Sequence, residues 1–233
     1  MIKRVTFVRR ASTAPVETFA AQWRSATLAR VESLPPSLRP IRLAHCVVRS
    51  GATKPPWDGV AISWHQTTSL ESWTNSWAHA DSPLDGPGVS VTVEERIVEG
   101  GDWLDDRWRD GGAMGFVLIG LIEAADGLSR AAFRDYWWDR HRPLANSLVP
   151  VDLAPVAYVH DYVLDDGAVA AGFTWAGIGE MYERSPSRAR QRGEWFGSEA
   201  AIPLAIDEER FMVRGSRQVL VGDGEVVYRQ AAD

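Results

Sequence analysis

The sequence predicts two tandem α+β units of the ferredoxin-like plan, strand–helix–strand–strand–helix–strand, closing into an intramolecular pseudo-dimeric α+β barrel. Three observations carry that prediction. Phe19 and Trp23 return as Phe133 and Trp137, 114 positions later. Trp57-Asp58-Gly59-Val60 returns as Trp175-Ala176-Gly177-Ile178, and Trp77 returns as Trp195, all 118 positions later. Hydrophobic periodicity alternates between strand and helix in the same order in both halves. A four-stranded antiparallel sheet with helices on one face leaves its other face apolar. Two copies burying those faces against each other would explain the duplication.

In the first unit, residues 1–98, Ile2 to Val8 alternates like a strand and Val16 to Val31 has helical periodicity through Phe19, Trp23 and Leu28. Pro35, Pro36 and Pro40 end that helix. Leu43 to Val48 and Val60 to His65 are β-rich runs, Ser69 to Ala78 is a short helix, and Val89 to Val98 is the closing strand. Residues 99–115 form the linker, with Trp103, Leu104 and Trp108 packing it against the fold. The second unit, residues 116–233, opens with the strand Phe116 to Glu123, followed by a helix capped by Ser129. Val156 to Val163 and Phe173 to Tyr182 are its inner strands, and Ser187 to Gly197 its second helix. Asp207 to Phe211 is an extra segment, and Gln218 to Val227 reads as a hairpin turning at Gly222-Asp223-Gly224.

The composition narrows the function classes. A net charge of -6 argues against a nucleic-acid surface, which would be basic. Cys46 is the single cysteine, so neither an intrachain disulfide nor a paired-cysteine zinc site can form. The longest apolar stretch, around Phe116 to Ile122, is too short to span a bilayer, and no signal-peptide pattern opens the chain. A cytoplasmic location and no membrane partner are the resulting expectations. Eleven Trp side chains either fill cores or line a pocket for a flat apolar ligand. No dinucleotide, phosphate-loop, serine-elbow or zincin motif is present.

The densest chemical segment is Phe133 to Leu144. On a helix, Phe133, Trp137, His141 and Leu144 share one stripe, which predicts an inward His141 shielded by Trp137. Pro143 cannot donate to the Asp139 carbonyl, so the helix should end or kink beside His141. In the first unit Thr27 stands at the place of His141 and Ile62 at that of Glu180. Glu180 is expected to face the helices and orient the His141 imidazole as a dyad. Tyr158, His160 and Tyr162 alternate onto one strand face. His45 matches His160, which favours a structural role at that position without excluding a ligand contact. His65 and His79 are expected on loops or in solvent.

Phe133-x3-Trp137-x3-His141-x-Pro143-Leu144, followed by Trp175-x-Gly177-Ile178-x-Glu180, resembles the EthD family of the dimeric α+β barrel superfamily. The first unit looks like a degenerate copy. The resemblance implies small-molecule chemistry, with the family's helix histidine at His141 and its acid at Glu180. Superfamily relatives include cofactor-free oxygenases, dehydratases, cyclases and isomerases, and some branches bind haem.

The leading expectation is therefore a cofactor-independent dehydratase, isomerase or cyclase of aromatic or secondary metabolism. Its catalytic candidates are His141, Glu180, Tyr158 and His160. Its substrate-binding candidates are Phe133, Tyr136, Trp137, Tyr162, Trp175, Tyr182 and Trp195, around a small hydrophobic substrate. No metal or cofactor is expected. The alternatives are a haem- or oxygen-dependent oxidoreductase, with His141 or His160 as axial ligand, and a non-catalytic ligand-binding accessory protein. A homodimer of the tandem chain is a further expectation.

Overall fold

A computed structural model of the chain describes residues 1–49, 55–66, 82–86, 88–164 and 173–230. Eight strands account for most of the backbone pairing: β1 (Ile2–Val8), β2 (Arg42–Val48), β3 (Gly59–His65), β4 (Val89–Glu99), β5 (Gly112–Ile122), β6 (Ala157–Val163), β7 (Gly177–Glu183) and β8 (Gln218–Arg229). They form one closed barrel in the order β1-β3-β2-β8-β5-β7-β6-β4, every described pairing being antiparallel. This corrects the expected fold class. The chain does not build two ferredoxin-like α+β layers stacked face to face; it builds a single eight-stranded antiparallel barrel with few helices. The cause lies in the long strands β4 and β8. β4 pairs with β1 on one side and β6 on the other, and β8 pairs with β5 and β2. Each carries its ladder from one half into the other, so no sheet edge is left open.

Two further expectations change. Residues 218–229 run as one strand with no turn. A Cβ on Gly222 would lie 2.3 Å from the Val47 carbonyl oxygen, so the glycine there admits the close approach of β2. His65 is buried, beside Ser63, and is not on a solvated loop. The expected helix at 69–78, with Trp77 and His79, lies outside the described residues.

The barrel interior is the main core, with Val5, Phe7, Ile62, Ile119, Leu121 and Ile178 fully or almost fully buried. Helix α1 (Val16–Ser33) covers the outer face of the first half with Phe19, Trp23 and Val31. Helix α2 (Gly101–Asp110) occupies the expected linker and buries Leu104 and Trp108. The outer face of the second half is covered by α3 (Arg130–Tyr136), α4 (Arg142–Leu148), α5 (Pro186–Phe196) and α6 (Ile202–Glu208). Ser129 caps α3 as expected, its Oγ accepting from the Ala132 N–H at 3.1 Å.

The recurring aromatic–glycine pairs have a steric cause. A Cβ on Gly59 would sit 2.5 Å from Trp23 Cζ3, and one on Gly177 would sit 2.6 Å from Trp137 Cζ3. Each indole lies flat against strand backbone, so only glycine fits beneath it.

Candidate active site

The site begins with a wide turn. Between α3 and α4, Trp137–His141 forms a π-helical turn closed by the Arg142 N–H donating to the Trp137 carbonyl. Pro143 offers no N–H to the Asp139 carbonyl, and the chain answers by widening the helix there. The expected end of the helix is thus a bulge, and α4 continues to Leu148. One extra residue rotates the later positions by about 100° around the axis. Phe133 and Trp137 keep their inward stripe, whereas His141 swings toward α6.

There His141 Nδ1 lies 2.9 Å from Asp207 Oδ2. The other carboxylate oxygen, Oδ1, accepts from the Tyr136 hydroxyl at 2.7 Å. Asp207 is buried and His141 largely so. A carboxylate can only accept, so Nδ1 carries a proton and Nε2 is the ring nitrogen that Asp207 leaves free. Tyr136 and Phe211 stack at 5.5 Å and hold the pair in place.

His141 lines a cavity of about 240 Å³ between the outer face of β5–β7–β6 and the helices. Trp137, Phe211, Met212, Met181 and Phe196 give it apolar walls, and Tyr158 and His160 give it polar atoms. Burial pushes the Tyr158 phenol up to about 12, so the hydroxyl stays protonated. His160 stacks on Trp137, ring centroids 3.8 Å apart, and burial, aided by the nearby charges of Arg142 and Arg96, holds it neutral. At the far rim Glu99 is pushed up from the usual carboxylate range by burial, against the pull of Arg192.

Glu180 is not in this site, which corrects the expected dyad. On β7 the residues facing the helices are Gly177, Gly179 and Met181; Gly177 must be glycine because Trp137 and Phe133 lie on it. Ile178, Glu180 and Tyr182 therefore face the barrel interior. There Glu180 Oε1 is 3.2 Å from Lys3 Nζ and its Oε2 accepts from the Tyr182 hydroxyl at 2.8 Å. Lys3 also meets Asp161 at 2.9 Å and Glu95 at 2.6 Å. Burial, reinforced by Glu180 and against the pull of Lys3, pushes the Asp161 carboxyl far above its usual range.

The structure thus brings His141, Tyr158, His160 and Trp137 together. Phe133 and Tyr162 pack behind them, and Tyr136 supports Asp207. Trp175 packs beside Phe173 against the barrel core, Tyr182 is inside the barrel, and Trp195 meets Phe196 without lining the cavity. Sequence reasoning does not single out Asp207, the carboxylate that meets His141. Its signal was present, because it lies in the extra segment of the second unit. The cavity is somewhat smaller than the roughly 300–1,000 Å³ typical of small-molecule sites. No cluster of three or more metal-ligating side chains occurs among the described residues. No described helix is long and apolar enough to cross a membrane.

Residues 125–214, which hold the whole His141–Asp207 constellation, match the EthD domain family. No curated protein matches the chain. Two solved structures are similar in fold. One, from Lactobacillus acidophilus NCFM, bears the name of a monooxygenase; identity is 10%, TM-score 0.51, and coverage 100% of this chain and 99% of that one. The other is named anthrone oxidase-like; identity is 12%, TM-score 0.58, and coverage 100% and 95%.

Proposed function

From a second half that carries an EthD domain, we propose that this protein is a small-molecule enzyme whose His141 removes a proton from an apolar, ring-bearing substrate. The observation that carries the reading is the His141–Asp207 pair opening onto an aromatic-walled cavity. Asp207 fixes the tautomer and offsets the charge of the imidazolium, and Nε2 is the base. Trp137 and Phe211 flank the ring, and the Tyr158 hydroxyl is a donor for a substrate oxygen. A cavity this small limits the substrate to a few rings.

The lyase or isomerase outcome expected from the sequence competes with an oxygen-dependent one, and the names of the two similar structures favour the latter. Proton removal serves both. A ring carbanion delocalised onto a carbonyl is electron-rich enough to react with dioxygen itself. A ring CH2 then becomes C=O, one oxygen atom entering the ring and the other leaving as water.

Dioxygen uptake with anthrone as probe tests the proposal. His141→Ala should lower the rate by about 10²- to 10⁴-fold, the usual worth of a positioned base, with the circular dichroism spectrum unchanged. Unaltered uptake in the variant removes His141 from the chemistry.

A further inference from the structure

The two halves hold the same histidine in the same setting, but the ring nitrogen left without a partner differs: Nδ1 in His45, Nε2 in His160. His45 stacks on Trp23 at 3.6 Å and His160 on Trp137 at 3.8 Å; both are 1% exposed. His45 Nε2 lies 3.3 Å from Thr27 Oγ1. The Thr27 hydroxyl donates its one proton to the Trp23 carbonyl at 2.8 Å. Its oxygen is therefore the acceptor, and His45 carries its proton on Nε2.

In the second half the place of Thr27 is taken by His141, which turns away to Asp207. His160 Nε2 then meets no hydrogen-bond partner among the described residues, while the ring lines the cavity. A buried donor left unpaired is costly, and such atoms in folded proteins call for an explanation. The other ring nitrogen points to the same tautomer. Nδ1 is 3.1 Å from the Tyr162 hydroxyl, whose phenol burial keeps protonated. The Tyr162 hydroxyl meets no other hydrogen-bond partner among the described residues, so its proton goes to Nδ1, which leaves the ring proton on Nε2 of a side chain that lines the cavity.

We infer that the His160 Nε2–H is the binding point for a carbonyl oxygen of the substrate, the role that Thr27 Oγ1 fills internally in the first half. This rests on the reading of His141 as base and narrows its substrate class to enolisable ring ketones, with an acidic C–H next to or conjugated with the carbonyl. His141 Nε2 takes that proton. The C–H electron pair becomes the new C=C bond, and the carbonyl π pair moves onto oxygen, where the His160 N–H holds the enolate. A neutral imidazole is suited to this because it gives a hydrogen bond without surrendering the proton.

Binding without turnover tests the inference. Under anaerobic conditions, tryptophan fluorescence is titrated with anthrone and with 9,10-dihydroanthracene, the same ring system lacking the carbonyl. The wild type should prefer the ketone by about tenfold, the worth of one N–H···O bond. His160→Phe keeps a ring on Trp137 and should erase that preference; His160→Gln, with an amide N–H near the Nε2 position, should restore part of it. Equal binding of the two probes by the wild type overturns the inference. Failure here and failure of the base are distinguishable, because His141→Gln should lose proton exchange yet keep the ketone preference. The ¹⁵N shifts of the wild-type His160 imidazole give an independent check that needs no variant. A proton on Nε2 is expected, and a proton on Nδ1 overturns the inference.

Discussion

Adding one methyl group at Gly177 should damage the site, while the same change at Gly59 should not. In both places the new Cβ meets an indole: 2.6 Å from Trp137 Cζ3 and 2.9 Å from Phe133 for Gly177, 2.5 Å from Trp23 Cζ3 for Gly59. Both distances are well inside van der Waals contact, so the indole must shift in each case. Overpacking of this kind costs about 1–3 kcal/mol, and replacing a strand glycine by alanine returns roughly 0.5–1 kcal/mol of backbone entropy. The net loss is about 0–2.5 kcal/mol for either variant, or up to roughly 10 °C in Tm for a chain of this size. The consequences for chemistry differ. Trp137 begins the π turn that carries His141, so a shift approaching 1 Å there should cost on the order of 10- to 100-fold in kcat. Trp23 packs in the core of the first half and stacks on His45, away from the His141 cavity. Urea titrations and oxygen-uptake rates on Gly177→Ala and Gly59→Ala provide the comparison. Equal loss of activity in both variants would refute the assignment of the working site to the second half.

The same geometry sets three further outcomes. Asp207→Asn should lower the rate by about 10²-fold or more, because an amide in place of the carboxylate no longer enforces the Nε2 lone pair, whereas Tyr136→Phe should cost less than about tenfold; steady-state rates decide. Lys3→Met strips the cation from Glu95, Asp161 and Glu180 and should destabilise by about 3–5 kcal/mol, read as a lower urea midpoint, with the ketone preference unchanged because the cluster lies inside the barrel. Acid should destabilise the fold: burial holds His45 down at about 3, His65 at about 4 and His160 well below its ordinary value. Below about pH 6.5 the unfolded chain takes up three protons that these rings refuse, so stability is present above that pH and falls beneath it. Asp161, whose carboxyl burial pushes far up in the folded state, opposes this by up to about one proton, and Glu99 and Glu183 oppose it further. The net slope is roughly 1–3 kcal/mol per pH unit between pH 6 and 4.5, and constant urea midpoints across that range would contradict it.

The legible parts of this structure were those with a local physical cause. Phe133, Trp137 and their first-half counterparts recur because an indole pressed on backbone demands both a helix stripe and a strand glycine, and both marks survive in the sequence. The strands emerged from alternation, though alternation alone does not say which face is which. Glu180 shares a face with Ile178 and Tyr182 as expected, but that face is the barrel interior. The glycines at 177 and 179 are what assign the outward side. Pro143 announces an irregular helix, but the missing N–H alone does not say whether the helix ends there or widens into a π turn, as it does. The closure of β4 on β6 and β8 on β2 is a pairing between residues far apart in sequence, without a local pattern. That is why the fold class came out as two layers and not one barrel. Asp207 sat in plain view in the segment that the first half lacks.

Solvent-deuterium exchange into the acidic carbon of anthrone, measured without oxygen, isolates the proton transfer assigned to His141. The wild type is expected to accelerate exchange well above the buffer rate, with His141→Gln falling back to it and Thr27→Val leaving it unchanged. Exchange that persists in His141→Gln would contradict that assignment.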